Sequence, residues 1–214
     1  MTGELKDRWT ELWQKLGVEV APPGLLDELI QAYSSTGRFY HTLAHIRDCL
    51  AIFDRTRSLA VHPEEVELAI WSHDAVYDTR REDNEQRSAE WAGQAIRQAG
   101  LGVSLLERVS GLILATRHDR EVTDPDAQLL VDVDLAILGA SPDVFWEYEE
   151  KIRKEYAWVP ESLYARRRMQ ILRGFLSRPH IYYHSHYQEL LERNARINLP
   201  QAIAKLANLG GKPA

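Results

Sequence analysis

"HPEEVELAIWSHDAVYD", residues 62–78, reads as a helix that carries chemistry on its inner face. Acidic Glu64 and Glu65 come early, where the helix dipole favours negative charge. Val66, Ala69, Ile70, His73 and Tyr77 recur at the helical spacing i, i+3, i+4, i+7, i+11 and define a buried stripe. That stripe turns the imidazole of His73 inward. Asp74 follows about 100° further round, so both side chains approach one point at the helix edge.

Outward from this segment the same pattern repeats. Proline and glycine fall at intervals suited to helix ends, in "APPG", "VHPEE", "AGLG", "TDPD", "GASPD", "WVPES" and "SRPH", with helical periodicity between them. The expectation is an all-α, single-domain helical bundle over residues 1–214, with 209–214 fraying. Asp83 with Gln86 predicts a capping box, and Gly100 a helix stop, around a buried stripe of Ser88, Ala92, Ala95 and Ala99. Leu105, Val109, Leu112 and Thr116 predict a helix that leaves His118 near its C-terminal end. Asp124 and Ser141, each followed by proline, predict N-caps, with one helix over about Pro125 to Leu138.

Composition narrows the function classes. Hydrophobic residues at 44% and charged residues at 27% suit an ordinary globular chain. A net charge of −6 gives no broad basic field for nucleic acid, although "ARRRM", residues 165–169, is a local basic cluster. The single cysteine, Cys49, excludes an internal disulfide, and "MTGELKDRWTELW" lacks the features of a secretory signal, so the expected address is cytoplasmic. No apolar run approaches the roughly 20 residues a membrane crossing needs. Neither "GxSxG" nor a glycine-rich phosphate loop is present, and Cys49 lies mid-helix, which removes nucleophilic and P-loop mechanisms.

Two further segments bear on the His73–Asp74 pair. "RFYHTLAHIRDCL", residues 38–50, places His41, His45 and Cys49 on one stripe with Ile52, so both histidines can face the interior. "LLVDVDLAILG", residues 129–139, puts Asp134 on a stripe with Leu130, Ile137 and Leu138, whereas Asp132 falls with Gln128 and Gly139. A carboxylate on an apolar stripe needs a cation or strong hydrogen bonds, which favours Asp134 and leaves a buried arginine pair as the plain alternative. His45, His73, Asp74 and Asp134 together offer two nitrogen and two oxygen donors, a set that suits Mn, Fe, Co, Ni, Zn or Mg.

The order H…HD…D resembles the HD superfamily of metal-dependent phosphohydrolases. The strings "RFYHTLAHI", "WSHDAVYD", "DNEQRS", "ATRH", "VDVDLAILG" and "IRKEY" look closer still to its bacterial group of predicted HD phosphohydrolases. The resemblance covers roughly Arg38 to Tyr182, with the C-terminal helices packed on that core. It implies His45, His73, Asp74 and Asp134 as metal ligands, Asp132 in reserve, and His41 as an alternative ligand or a neighbour of the site. Relatives with two metals add two histidines between the HD pair and the last aspartate; this chain has only His118 there, so one ion is expected.

Metal-activated water would then attack a small phosphate ester, with nucleotides among the candidates and no nucleic acid or membrane as partner. Four protein ligands leave open positions on a five- or six-coordinate ion, which favours Mn, Fe, Co, Ni or Mg over tetrahedral Zn. Asp74 and His118 are the catalytic candidates, with a dipole-favoured helix end as the plain role of His118. Arg168, on a stripe with Tyr164, Ile171 and Phe175, is the first choice for a phosphate clamp. Arg38 and Arg153 follow it, while Asp78, Asn84, Glu85 and Ser88 in "YDTRREDNEQRS" could meet substrate or its water. Competing expectations are a non-catalytic metal or nucleotide-binding module, an HD-fold di-iron oxygenase, and a helical scaffold with hydrogen-bonded core histidines.

Overall fold

The computed structural model describes residues 2–210, and every regular element among them is helical. None of these helices is long and apolar enough to cross a membrane. The chain groups into two compact units, Met1–Val133 and Asp134–Ala214.

The first unit holds α1 (Thr2–Lys15), α2 (Leu25–Tyr33), α3 (Leu43–Thr56), α4 (Pro63–Ser72), α5 (Asn84–Gln98), α6 (Val103–Ala115) and α7 (Pro125–Asp134), whose last residue opens the second unit. Helix α4 is its centre: α1, α3, α5 and α6 all pack on it, and every residue from Glu65 to Ser72 is buried. Two glutamates are buried with it. Glu65 takes a two-pronged contact from Arg108 at 2.6 and 2.7 Å, and Glu67 is paired with Arg8 at 2.7 Å and with Arg57. Trp9 meets Trp13 and Trp71 edge to face, with ring centres 5.6 and 5.2 Å apart, which fills the space between α1 and α4.

Local signals in the sequence succeed where the chain itself supplies the cap. Gly100 has φ of 73°, Gly100 N donates to Arg97 O, and Leu101 N reaches back to Ile96 O, so glycine closes α5 as expected. Asp124 accepts a hydrogen bond from Ala127 N at 2.8 Å and caps α7. Two expectations are corrected. Asp83 stands at the start of α5 but its carboxylate pairs with Arg81 while Gln86 turns to Glu90, so no capping box forms. Ser141 is the N-cap of α8 with Pro142 after it, as expected, although its side chain makes no cap bond. Helix α4 stops at Ser72 rather than running on to Tyr77, because His73 is its C-cap and residues 73–78 form a turn.

The second unit holds a 3-10 turn (Leu135–Gly139), α8 (Pro142–Glu155), α9 (Glu161–Leu176), α10 (Ser185–Tyr187), a π turn (Gln188–Glu192) and α11 (Arg193–Gly210). The predicted helix over 125–138 is therefore α-helical only to Asp134 and tightens afterwards. Asn198 on α11 donates to Leu138 O and Ala140 O at 3.0 Å each, and Tyr182 donates to Leu135 O at 3.1 Å. Gly139 lies so close to the π turn that a Cβ there would stand 2.5 Å from Cβ of Leu191. Residues 209 and 210 belong to α11; the rest of the expected frayed tail, 211–214, lies outside the described residues.

Candidate metal centre

Helix α3 begins at Leu43, with the Thr42 side chain accepting from Ala44 N at 3.3 Å. His41 is thus in the turn before the helix, and only His45 sits on it, 3% exposed. His73, 2% exposed, caps α4, and Asp74 follows in the turn. The pair does not share a helix face as the spacing suggested; the end of α4 bends it toward α3.

The donor atoms converge. His45 Nε2 is 3.2 Å from His73 Nε2 and 3.8 Å from Asp74 Oδ2, and His73 Nε2 is 3.2 Å from the same oxygen. These separations put the three atoms on a circle of radius about 2.0 Å, the length of a bond from a divalent ion to nitrogen or oxygen. His73 Nδ1 faces Ile70 O at 2.9 Å. A carbonyl only accepts, so Nδ1 carries a proton and Nε2 faces the cluster, where giving up its own proton would free the lone pair that a metal ligand requires. Cys49, one helical turn beyond His45, lies 3.6 and 3.7 Å from that ring's two nitrogens.

Burial works to raise the pKa of Asp74, but the imidazoles of His73, His41 and His45 outweigh it and hold the carboxyl below its ordinary range. The Asp74 side chain remains 16% exposed, the most accessible of the three donors.

The turn around Asp74 is fastened at three places. Arg38 Nη1 donates to Asp74 O at 2.6 Å and to His41 O at 3.3 Å, while Nη2 donates to Ala75 O at 3.1 Å. Its guanidinium lies 5.1 Å from the ring centre of Tyr33 and 5.4 Å from that of Tyr77, whose ring also faces His41 at 4.2 Å. Ser88 Oγ accepts from Val76 N at 3.0 Å and donates to Val76 O at 3.2 Å. Asn84 closes the loop through Asp78, accepting from its N at 3.0 Å and donating to its O at 2.9 Å.

Several of the predicted phosphate contacts have partners within the chain. Arg38 is spent on backbone carbonyls, Asn84 on Asp78, and Arg153 on Tyr156 O and Val159 O at 2.6 and 3.1 Å. Arg168, the first choice, is buried against Glu149 and donates to Tyr148 Oη at 2.8 Å. Glu85 is half-buried in the first turn of α5.

His41 and His118 stand outside the donor triad, although the charge of His41 acts on Asp74. His118 follows α6 in the left-handed region at φ of 56°, a strained conformation for a residue with a Cβ. Asp132 is fully buried on α7 whereas Asp134 is half-buried, the reverse of the stripe reading, because α7 is enclosed on more than one face. Arg38 and Ser88 are the supports whose specific contacts sequence reasoning missed. Their signal lay only in proximity to the histidines and the HD pair.

No protein family, curated protein or solved structure matches the chain.

Proposed function

We propose that this chain is a metal-dependent phosphohydrolase of the HD type, hydrolysing a small phosphate ester, with nucleotides among its candidate substrates. The observation that carries the reading is the convergence of His45 Nε2, His73 Nε2 and Asp74 Oδ2 at separations that suit one divalent ion. The resemblance adds Asp134 as the last ligand, with Asp132 in reserve. A bound ion would polarise a phosphoryl oxygen and lower the pKa of its water, so that hydroxide is available at neutral pH. The chain's own contribution is to hold the donors ready. Ile70 O fixes the tautomer of His73, the surrounding imidazoles keep Asp74 ionised, and the exposed edge of Asp74 leaves a side from which an ester can approach. One ion of the Mn, Fe, Co, Ni or Mg type suits this donor set, with Zn less favoured. The use of cysteine, one buried thiol at Cys49, fits a cytoplasmic setting.

A second reading, a metal-binding module without turnover, is favoured by one observation: Arg38, Arg153 and Arg168 all have partners within the chain. Elemental analysis and a panel of phosphate esters and nucleotides, run with Mn, Co, Ni and Mg, separate the two. Metal-dependent hydrolysis is expected in the wild type, falling roughly 100-fold or more in His73→Ala and in Asp74→Ala. Bound metal with no turnover across the panel selects the second reading, and two irons per chain would select the oxygenase. A wild type that takes up no divalent ion removes all three.

A further inference from the structure

The geometry points to Arg38 as the positioning residue of the metal centre, a clasp that sets the distance between the turn bearing Asp74 and the segment leading to His45. The inference rests on the metal-site reading above and assigns Arg38 a role other than phosphate binding. The end of an α-helix leaves carbonyls without intrahelical partners, and the turn after α4 presents two more, from Asp74 and Ala75. One guanidinium takes both, at 2.6 and 3.1 Å, and the same Nη1 also reaches His41 O. The plane of the fork is fixed by Tyr33 and Tyr77. Tyr33 is itself tied to α4 through its hydroxyl, which donates to Trp71 O at 3.0 Å.

Delivery of the arginine depends on the turn before it. Gly37 has φ of 97°, a left-handed conformation that reverses the chain after α2 and brings residue 38 to the end of α4. The Asp74 backbone is therefore fastened by Arg38 directly at the ligand, and by Ser88 two residues later at Val76. A lysine in place of Arg38 has a single ammonium and no fork, so it cannot hold two successive carbonyls in one plane. The consequence falls on metal geometry: the Asp74 oxygen would wander from its 3.2 Å separation to His73 Nε2.

The test uses full-length protein, with Mn(II) binding followed by calorimetry and Co(II) binding by its visible spectrum, for wild type, His73→Ala, Arg38→Lys and Arg38→Met. Arg38→Met is expected to weaken Mn(II) binding about 10- to 100-fold, with Arg38→Lys also weaker and both giving altered Co(II) bands at unchanged helix content. If Arg38→Met does not fold, Arg38→Lys decides. Affinity within twofold of wild type, or an unchanged Co(II) spectrum, in a folded Arg38 variant overturns the positioning role while His73→Ala still abolishes binding. Should wild type bind no Mn(II), or His73→Ala bind as well as wild type, the metal-site reading itself fails and the role of Arg38 falls with it.

Discussion

Asp74 and Glu149 face the same physical problem, a carboxylate withdrawn from water, and the chain solves it in opposite ways. Glu149 receives the guanidinium of Arg168, and both side chains are under 10% exposed, at 8% and 9%. Burial by itself lowers the pKa of Arg168, but Tyr148 and Glu149 overcome that and keep the guanidinium charged. Asp74 receives imidazoles instead, and the nearest arginine, Arg38, goes to its carbonyl. A guanidinium completes a carboxylate and closes it to other cations. Imidazoles with Nε2 turned inward hold the carboxylate ionised when they are protonated and offer lone pairs once that proton is given up, so a cation can take the place of the protons in the second arrangement and not in the first.

The largest expected effect is in the closed pair. Glu149→Ala leaves Arg168 buried without its carboxylate and should cost about 3–5 kcal/mol in urea unfolding, whereas a Glu149→Met, Arg168→Met double variant should recover most of it. A single variant costing under about 1 kcal/mol would show that the two carboxylates are not solved differently.

Acid sharpens the contrast from the other side. Because the carboxyl of Asp74 is held below its ordinary value, its stabilising contribution is complete above about pH 4 and is lost as pH falls through the folded value. Metal-free wild type should therefore shed stability between about pH 4 and pH 2 that Asp74→Asn does not, as read by thermal melts across that range. Parallel melting curves for the two proteins would break the distinction.

The smallest effect separates two helix starts that look alike in sequence. Asp124→Ala should cost about 1 kcal/mol, since its side chain holds Ala127 N, while Ser141→Ala should stay within about 0.5 kcal/mol.

What was legible in the sequence follows the range of the interaction that decides it. The all-helical fold, the stop at Gly100 and the cap at Asp124 depend on residues within one turn, and the sequence shows those neighbours directly. The inward direction of His45 and His73 also followed from spacing. The stop of α4 after Ser72 did not, since no glycine or proline marks it and the carbonyls beyond it are met by Arg38, 36 residues upstream of Asp74. For the same reason the partners of Arg38, Arg153 and Arg168 within the chain, Glu149 and backbone carbonyls brought near by folding, were not legible. The relative burial of Asp132 and Asp134 was not legible, because a stripe argument assumes one wet face, which α7 lacks over most of its length.

Helix α4 carries a last consequence, for what an ion would do to stability. Its donor-bearing end is enclosed by α1, α3, α5 and α6, which come from segments far apart in the chain. A divalent ion held there would tie α3 to the end of α4 and so act as a lock on the folded unit, adding its binding free energy to the unit's stability.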